Sequence, residues 1–414
     1  MELRGRQMTA RDSASAQSPG MLAGVTVIDL GQIYNAPYAT LLMAEAGARV
    51  IKVEPRGGER NRKRIQNQVN GAGYPFQMMN SNKLGVTLNL KSERGRSLLR
   101  QMAARADVLV ENFRPGVMEK LGLGADVLLR QSPKLIYASS SGFGRDSAYG
   151  NRAAMDVTIQ AMSGAMEATG YEHDPPVKSG AAIADFLGGV HLFGGIVTAL
   201  VRRERRGIGG VVDVAMLDVM IPAMVPAISS ALVWHHTVVR SGNHDVTRAH
   251  VPYGMYPTAD GYVVITVRLD SEWRSLSECL VGAGFEVPQS FDDVTNRIEQ
   301  AAAVDSFVER WTRTNPTAEI LYLARSHGLP CAPVRDLADV LADPYLRDRG
   351  VIVDVEVAGT GRLPVLRSPI TVEGEKRLPL RTTPMLGEHN REIYVGWLGI
   401  PDEEFLGLAD AGVV

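Results

Sequence analysis

The chain has 414 residues, 45% of them hydrophobic and 22% charged, with a net charge of -2. That balance fits two soluble domains better than one ordinary core. It offers no broad basic field for nucleic acid or an anionic membrane surface, so a phosphate-bearing ligand needs local donors. Two cysteines, Cys279 and Cys331, are too few for a disulfide framework or a four-cysteine zinc site, and a reducing, cytoplasmic setting is expected.

Residues 1–20 are polar and lack the apolar stretch of a secretory signal, so they read as a disordered tail. Apolar runs then alternate with helical spacing, the pattern of parallel βαβ units. Val25–Leu30, Ala48–Val53, Gly85–Asn89, Val108–Glu111 and Leu135–Ala138 read as strands. Pro37–Ala46, Ser92–Arg105 and Asp156–Ala168 read as helices.

Phe186–Arg206 reads as a long helix, apolar for four turns and ending in an arginine cluster that complements the helix dipole. Its glycines, Gly188, Gly189, Gly194 and Gly195, are costly inside a helix and point to close approach of a backbone or ligand. His191 reads as a core histidine, and no run is expected to span a membrane. The expected organisation is a large domain over residues 21–215, a linker helix over 216–245, a small α+β domain over 246–335 and a segment over 336–414 returning to the large domain. The fold class is α/β, a Rossmann-like doubly wound sheet with that small domain attached.

Asp185 stands out, a carboxylate in the run Gly180–Gly195 at the start of the long helix. By itself it is either an N-cap or a nucleophile. The chain has no Gly-x-Ser-x-Gly elbow, no Gly-x-x-x-x-Gly-Lys-Ser/Thr loop, no His-Glu-x-x-His pair and no Gly-x-Gly-x-x-Gly after the first strand. No site for metal, NAD or ATP is therefore expected. What remains is a set of polar loops after strands, where α/β folds place ligands.

Those loops carry Asp29–Pro37, Val50–Pro55, Asn80–Lys83, Leu88–Lys91, Val110–Gly116, Ser140–Gly144, the Asp185 run and Pro384–His389. Together, in this order, they resemble the family III coenzyme A transferases, which include formyl-CoA transferases and the related α-methylacyl-CoA racemases. The resemblance implies an acyl-CoA substrate, a free carboxylic acid as acceptor, Asp185 as nucleophile and an interlocked homodimer. It places coenzyme A against Ile33, Leu88, Asn112, Phe113 and Leu121, with Arg56, Lys91, Arg114 and Lys120 available for phosphates. Tyr34, Gly142, Phe143, Gly144, Met155, Asp156 and Met216 are the implied substrate pocket.

Two departures from the family pattern bear on substrate. Tyr34 stands where formyl-CoA transferases carry a glutamine, and Asn243–Tyr253 replaces their glycine loop, so an acyl group other than formyl is expected. Racemases carry a histidine directly before the acidic residue that is Asp156 here. This chain has Met155, which cannot move a proton, so transfer is favoured over racemisation. A coenzyme A-binding protein without activity is the alternative from another class. Arg240, His244, Arg248 and His250 could face the acyl end and select a carboxylated acyl group such as succinyl.

Overall fold

The computed structural model describes residues 20–63, 68–69, 72–150, 152–234, 240–247, 249–357 and 361–414. Within the first compact unit, β1 (Thr26–Asp29), α1 (Asn35–Glu45), β2 (Arg49–Glu54), β3 (Leu84–Thr87), α2 (Glu93–Arg105), β4 (Val108–Glu111) and β5 (Ile136–Ser141) follow in order. After α3 (Ile183–Arg206), the strand β6 (Gly210–Ala215) completes a six-stranded sheet.

The strand order is β3-β2-β1-β4-β5-β6, the order of doubly wound dinucleotide folds. The strands β1 to β5 pair in parallel, with Thr26 opposite Arg49, Ile51 opposite Leu84, Val27 opposite Val108 and Val108 opposite Ile136. Parallel pairing sends the carboxyl ends of these five strands to one edge. The order reverses between β1 and β4, which opens a crevice at that edge.

The side-chain period of two sorts the strand residues between the sheet's faces. Val27, Val50, Val108, Val110 and Ile136 join Ala39 and Met43 of α1 and Leu192 and Ile196 of α3 in one core. Ile28, Ile51, Leu109 and Tyr137 join Leu98 and Met102 of α2 and the C-terminal Ile393, Tyr394 and Leu408 in the other. Burial on both faces explains why these strands read as nearly continuous apolar runs.

The compact units comprise residues 1–151, 188–214 and 348–414 on one side, and 152–187 and 215–347 on the other. The 152–187 segment thus groups with the smaller unit and not with the large domain. Residues 336–347 do so too, and in the linker expected over 216–245 residues 216–234 form a pair of helices of that unit. Within the second unit, Tyr253–Pro257 and Tyr262–Thr266 form an antiparallel pair, joined by Cys331–Pro333. Trp273, Leu276, Trp311 and Ile320 from the helices 270–282, 301–314 and 317–326 cover it. Cys279 is buried there as a free thiol and Cys331 is half-buried, burial pushing each up to about 11. Most of the disordered tail expected at residues 1–20 lies outside the described residues.

Three expectations change. α3 is long and apolar enough to cross a membrane by length and composition, against the expectation that no run would be. Its buried residues nevertheless pack on the sheet as a core helix, and Arg203 at its end pairs with Asp107 at 2.8 Å. His191 lies on the exposed face of this helix and is not a core residue. The helix expected over Asp156–Ala168 stops at Met162.

Candidate active site

The α3 helix begins two residues before Asp185, so Asp185 sits in its first turn rather than at its N-cap. The capping work is done from elsewhere. Asp156 Oδ1 accepts hydrogen bonds from the backbone amides of Ala184 at 2.8 Å and Asp185 at 3.2 Å. Asp156 thereby satisfies donors that a local cap would otherwise take.

Asp156 opens the helix Asp156–Met162, and its Oδ2 accepts from Gln160 Nε2 at 2.6 Å. The buried Gln160 also donates to the Ala181 carbonyl and accepts from the Ser179 amide at 2.9 Å, tying the 179–185 segment to that helix. Periodicity left Gln160 unmarked, because Ser179 and Ala181 lie about twenty residues away.

Relieved of capping, the half-buried Asp185 carboxyl is pushed up to about 7, first by burial and then by the negative charge of Asp156. Near neutral pH such a group is partly ionised and more basic than an ordinary carboxylate. It can attack an acyl carbon or exchange a proton. Met155 is exposed at the start of the Asp156 helix, while Met216 is buried at the start of the helix Met216–Ala223, which packs on it.

The remaining expected residues of the first unit all follow carboxyl ends of strands, in loops except for Lys120, which ends the short helix Val117–Lys120. Ile33 and Tyr34 follow β1, Arg56 follows β2, Leu88 and Lys91 follow β3, Asn112 to Leu121 follow β4, and Gly142 to Gly144 follow β5. Asn112 spans the switch point, accepting from the Gln32 amide at 2.7 Å and donating to the Gln32 carbonyl at 2.9 Å. Ile33 and Phe113 are half-buried beside it, and the Phe113 amide is held by Glu111 at 2.8 Å.

Arg56, Lys91, Arg114 and Lys120 are exposed. Leu88 differs, since its side chain belongs to the core and is 2% exposed, leaving only its backbone at the strand end. Phe143 packs edge-on against Tyr149, and Gly144 takes the left-handed backbone (φ 85) with its amide on Ser141 Oγ.

A buried ionic cluster lies beneath the β1 end. Asp29 accepts from Lys83 Nζ at 2.9 Å and from Thr40 Oγ1 at 2.7 Å, with Lys52 Nζ at 3.9 Å. These partners hold the Asp29 carboxyl below its usual range despite the cost of burial, which pushes Lys83 down to about 8. Glu54 pairs with Arg62 at 2.8 Å. The signal for these groups was a charge inside otherwise apolar strands, as in Val50-Ile-Lys-Val-Glu54.

The basic groups expected at the acyl end already have acidic partners. Arg240 donates to Glu167 at 2.7 Å and to the carbonyls of Tyr171 and Glu172. His250 Nδ1 lies 2.7 Å from Asp245, and His244 Nδ1 lies 3.1 Å from Asp305. Arg248 lies outside the described residues.

The first unit is thus a doubly wound α/β sheet with polar loops at its switch point, and the second bears a desolvated aspartate. The model of CoA-transferase family III matches residues 22–390. A formyl-CoA:oxalate CoA-transferase of Streptomyces avermitilis is 33% identical, covering 95% of this chain and 99% of its own. A succinyl-CoA:mesaconate CoA-transferase of Haloarcula hispanica is also 33% identical, covering 90% of this chain and 96% of its own. The crystal structure of a CAIB/BAIF family protein from Brucella suis superposes with a TM-score of 0.82 at 31% identity, over 92% of this chain and 100% of that one. The chain belongs to the family III CoA-transferases.

Proposed function

We propose that this enzyme moves coenzyme A from an acyl-CoA donor to a free carboxylic acid through Asp185. An Asp185 oxygen attacks the thioester carbonyl, the C–S bond breaks, and coenzyme A thiolate leaves a mixed anhydride. The thiolate then attacks the aspartyl carbonyl and releases the donor acid, leaving an aspartyl-CoA thioester. The acceptor carboxylate repeats the sequence in reverse, and Asp185 is regenerated. Each step exchanges one activated acyl group for another of similar energy.

The observation that carries this reading is the division of labour between the two aspartates. Asp156 occupies the helix amides, and Asp185 is left as a desolvated carboxylate with its pKa raised to about 7. Coenzyme A is assigned to the loops after β1 to β4, with Arg56, Lys91, Arg114 and Lys120 for its phosphates. Hydroxylamine or borohydride trapping with acyl-CoA tests it. The modified peptide should contain Asp185, and modification at Asp156 instead would reject the assignment.

Succinyl-CoA or another dicarboxylyl-CoA is the donor we favour. Succinyl-CoA in the name of the Haloarcula relative supports this donor, and mesaconate and oxalate support a dicarboxylate acceptor. The prior engagement of Arg240, His244 and His250 argues against those groups as its free receptor. Equal kcat/KM for succinyl-CoA and butyryl-CoA would remove the dicarboxylate preference. Racemisation is disfavoured because exposed Met155 precedes Asp156. We further assign an intertwined homodimer in the cytoplasm, where the two free thiols stay reduced; a monodisperse monomer in light scattering would contradict the dimer.

A further inference from the structure

The three residues before Tyr34, in the loop after β1, have an unusual hydrogen-bond account. Gly31, Gln32 and Ile33 present six backbone polar groups, and a side chain from elsewhere or from β1 takes each one. The Gly31 amide donates to Asp29 Oδ1 at 2.7 Å, and the Gly31 carbonyl accepts from Lys52 Nζ. Asn112 takes both groups of Gln32. The Ile33 amide donates to Glu59 Oε2 at 3.4 Å, and the Ile33 carbonyl accepts from Asn61 Nδ2 at 2.9 Å.

This arrangement is costly. Asp29, Lys52, Glu59 and Asn61 are each 3% exposed or less, so four desolvated polar side chains converge on one short loop. Ile33 also stands at φ 69, a left-handed backbone that a β-branched residue resists. Short strand-to-helix loops ordinarily end in a small polar cap, whereas α1 has Tyr34 at that position with no side-chain cap. Strain held in place by its surroundings at a switch point is a mark of a functional constraint.

We propose that Glu59 and Asn61 are positioning residues for coenzyme A. They clamp the amide and carbonyl of Ile33 in the left-handed backbone, so that the Gly31–Ile33 loop is preformed where the strand order reverses. This rests on the assignment of coenzyme A to that loop, and it adds residues that touch Ile33 and not the ligand.

Calorimetric titration of the full-length protein with coenzyme A tests it as a double-mutant cycle. Loss of the clamp in Asn61→Ala should weaken coenzyme A binding about tenfold. It should raise KM for acyl-CoA while kcat changes by less than about twofold. In an Ile33→Gly background, where glycine takes φ > 0 freely, the same Asn61→Ala step should cost about twofold or less.

An equal loss in both backgrounds, or unchanged affinity in Asn61→Ala, overturns the proposal while leaving the assigned function standing. Absence of coenzyme A binding by the wild type overturns both. Should Asn61→Ala unfold by circular dichroism, Asn61→Ser serves in the same cycle with the same criteria.

Discussion

Asp156 both supports and opposes Asp185. Its carboxylate accepts the Asp185 backbone amide at 3.2 Å, while its negative charge helps raise the Asp185 side chain to about 7. One residue thus fixes the helix start and tunes the neighbouring carboxyl.

Transfer that requires ionised Asp185 should rise with pH through about 7, seen as a rising limb of kcat/KM. In Asp156→Asn the amide oxygen still accepts the helix bonds, but the opposing charge is gone. The limb should move to lower pH by roughly one unit. A limb that stays in place would mean that burial alone sets the Asp185 pKa.

Asp185 also costs stability when charged. Its folded pKa lies above the unfolded value, so the folded state holds the proton more tightly. Its contribution is therefore complete below the unfolded pKa and is lost as pH rises through about 7. Asp185→Asn should melt about 2–4 °C above the wild type at pH 8, and the two should converge near pH 4. Activity should be abolished while coenzyme A binding persists.

Lys83 is buried on Asp29, Thr40, Asn80 and the Pro37 carbonyl. Lys83→Met leaves the Asp29 charge in the core with only Lys52 nearby and should cost about 3–5 kcal/mol in urea unfolding. Adding Asp29→Asn removes the unpaired charge, so the double variant should be more stable than Lys83→Met alone.

The glycines of α3 should divide sharply. A Cβ on Gly189 would stand 2.7 Å from the Asn35 carbonyl, against the first turn of α1, whereas one on Gly194 meets nothing within 4 Å. Gly189→Ala should therefore lose about 1–3 kcal/mol through overpacking. Gly194→Ala should gain about 0.5–1 kcal/mol of helix propensity. Melting temperatures of the two variants check this, and equal effects would contradict the packing.

The core strands were legible because each is short, apolar and followed by a turn. Val108–Glu111 was placed to the residue, and β1 and β2 to within one residue at each end. The arginine end of α3 was legible from charge alone. His191 was misread because an apolar helix offers two faces, and spacing from Asp185 does not say which one is buried. The 152–187 segment was misgrouped because compact units are defined by contacts and not by sequence texture.

By itself the sequence determined the alternation of strands and helices, the polar loops after them, and Asp185 as an unusual carboxylate. These features depend on residues within a few positions of one another, where propensity and periodicity act. Only the tertiary structure decided that Asp156 caps the helix across 29 residues, that Gln160 ties the segment down, and that Glu59 and Asn61 grip Ile33. Partners this far apart meet only after the chain has packed, and their desolvation, which sets their pKa values and energies, exists only in the folded molecule.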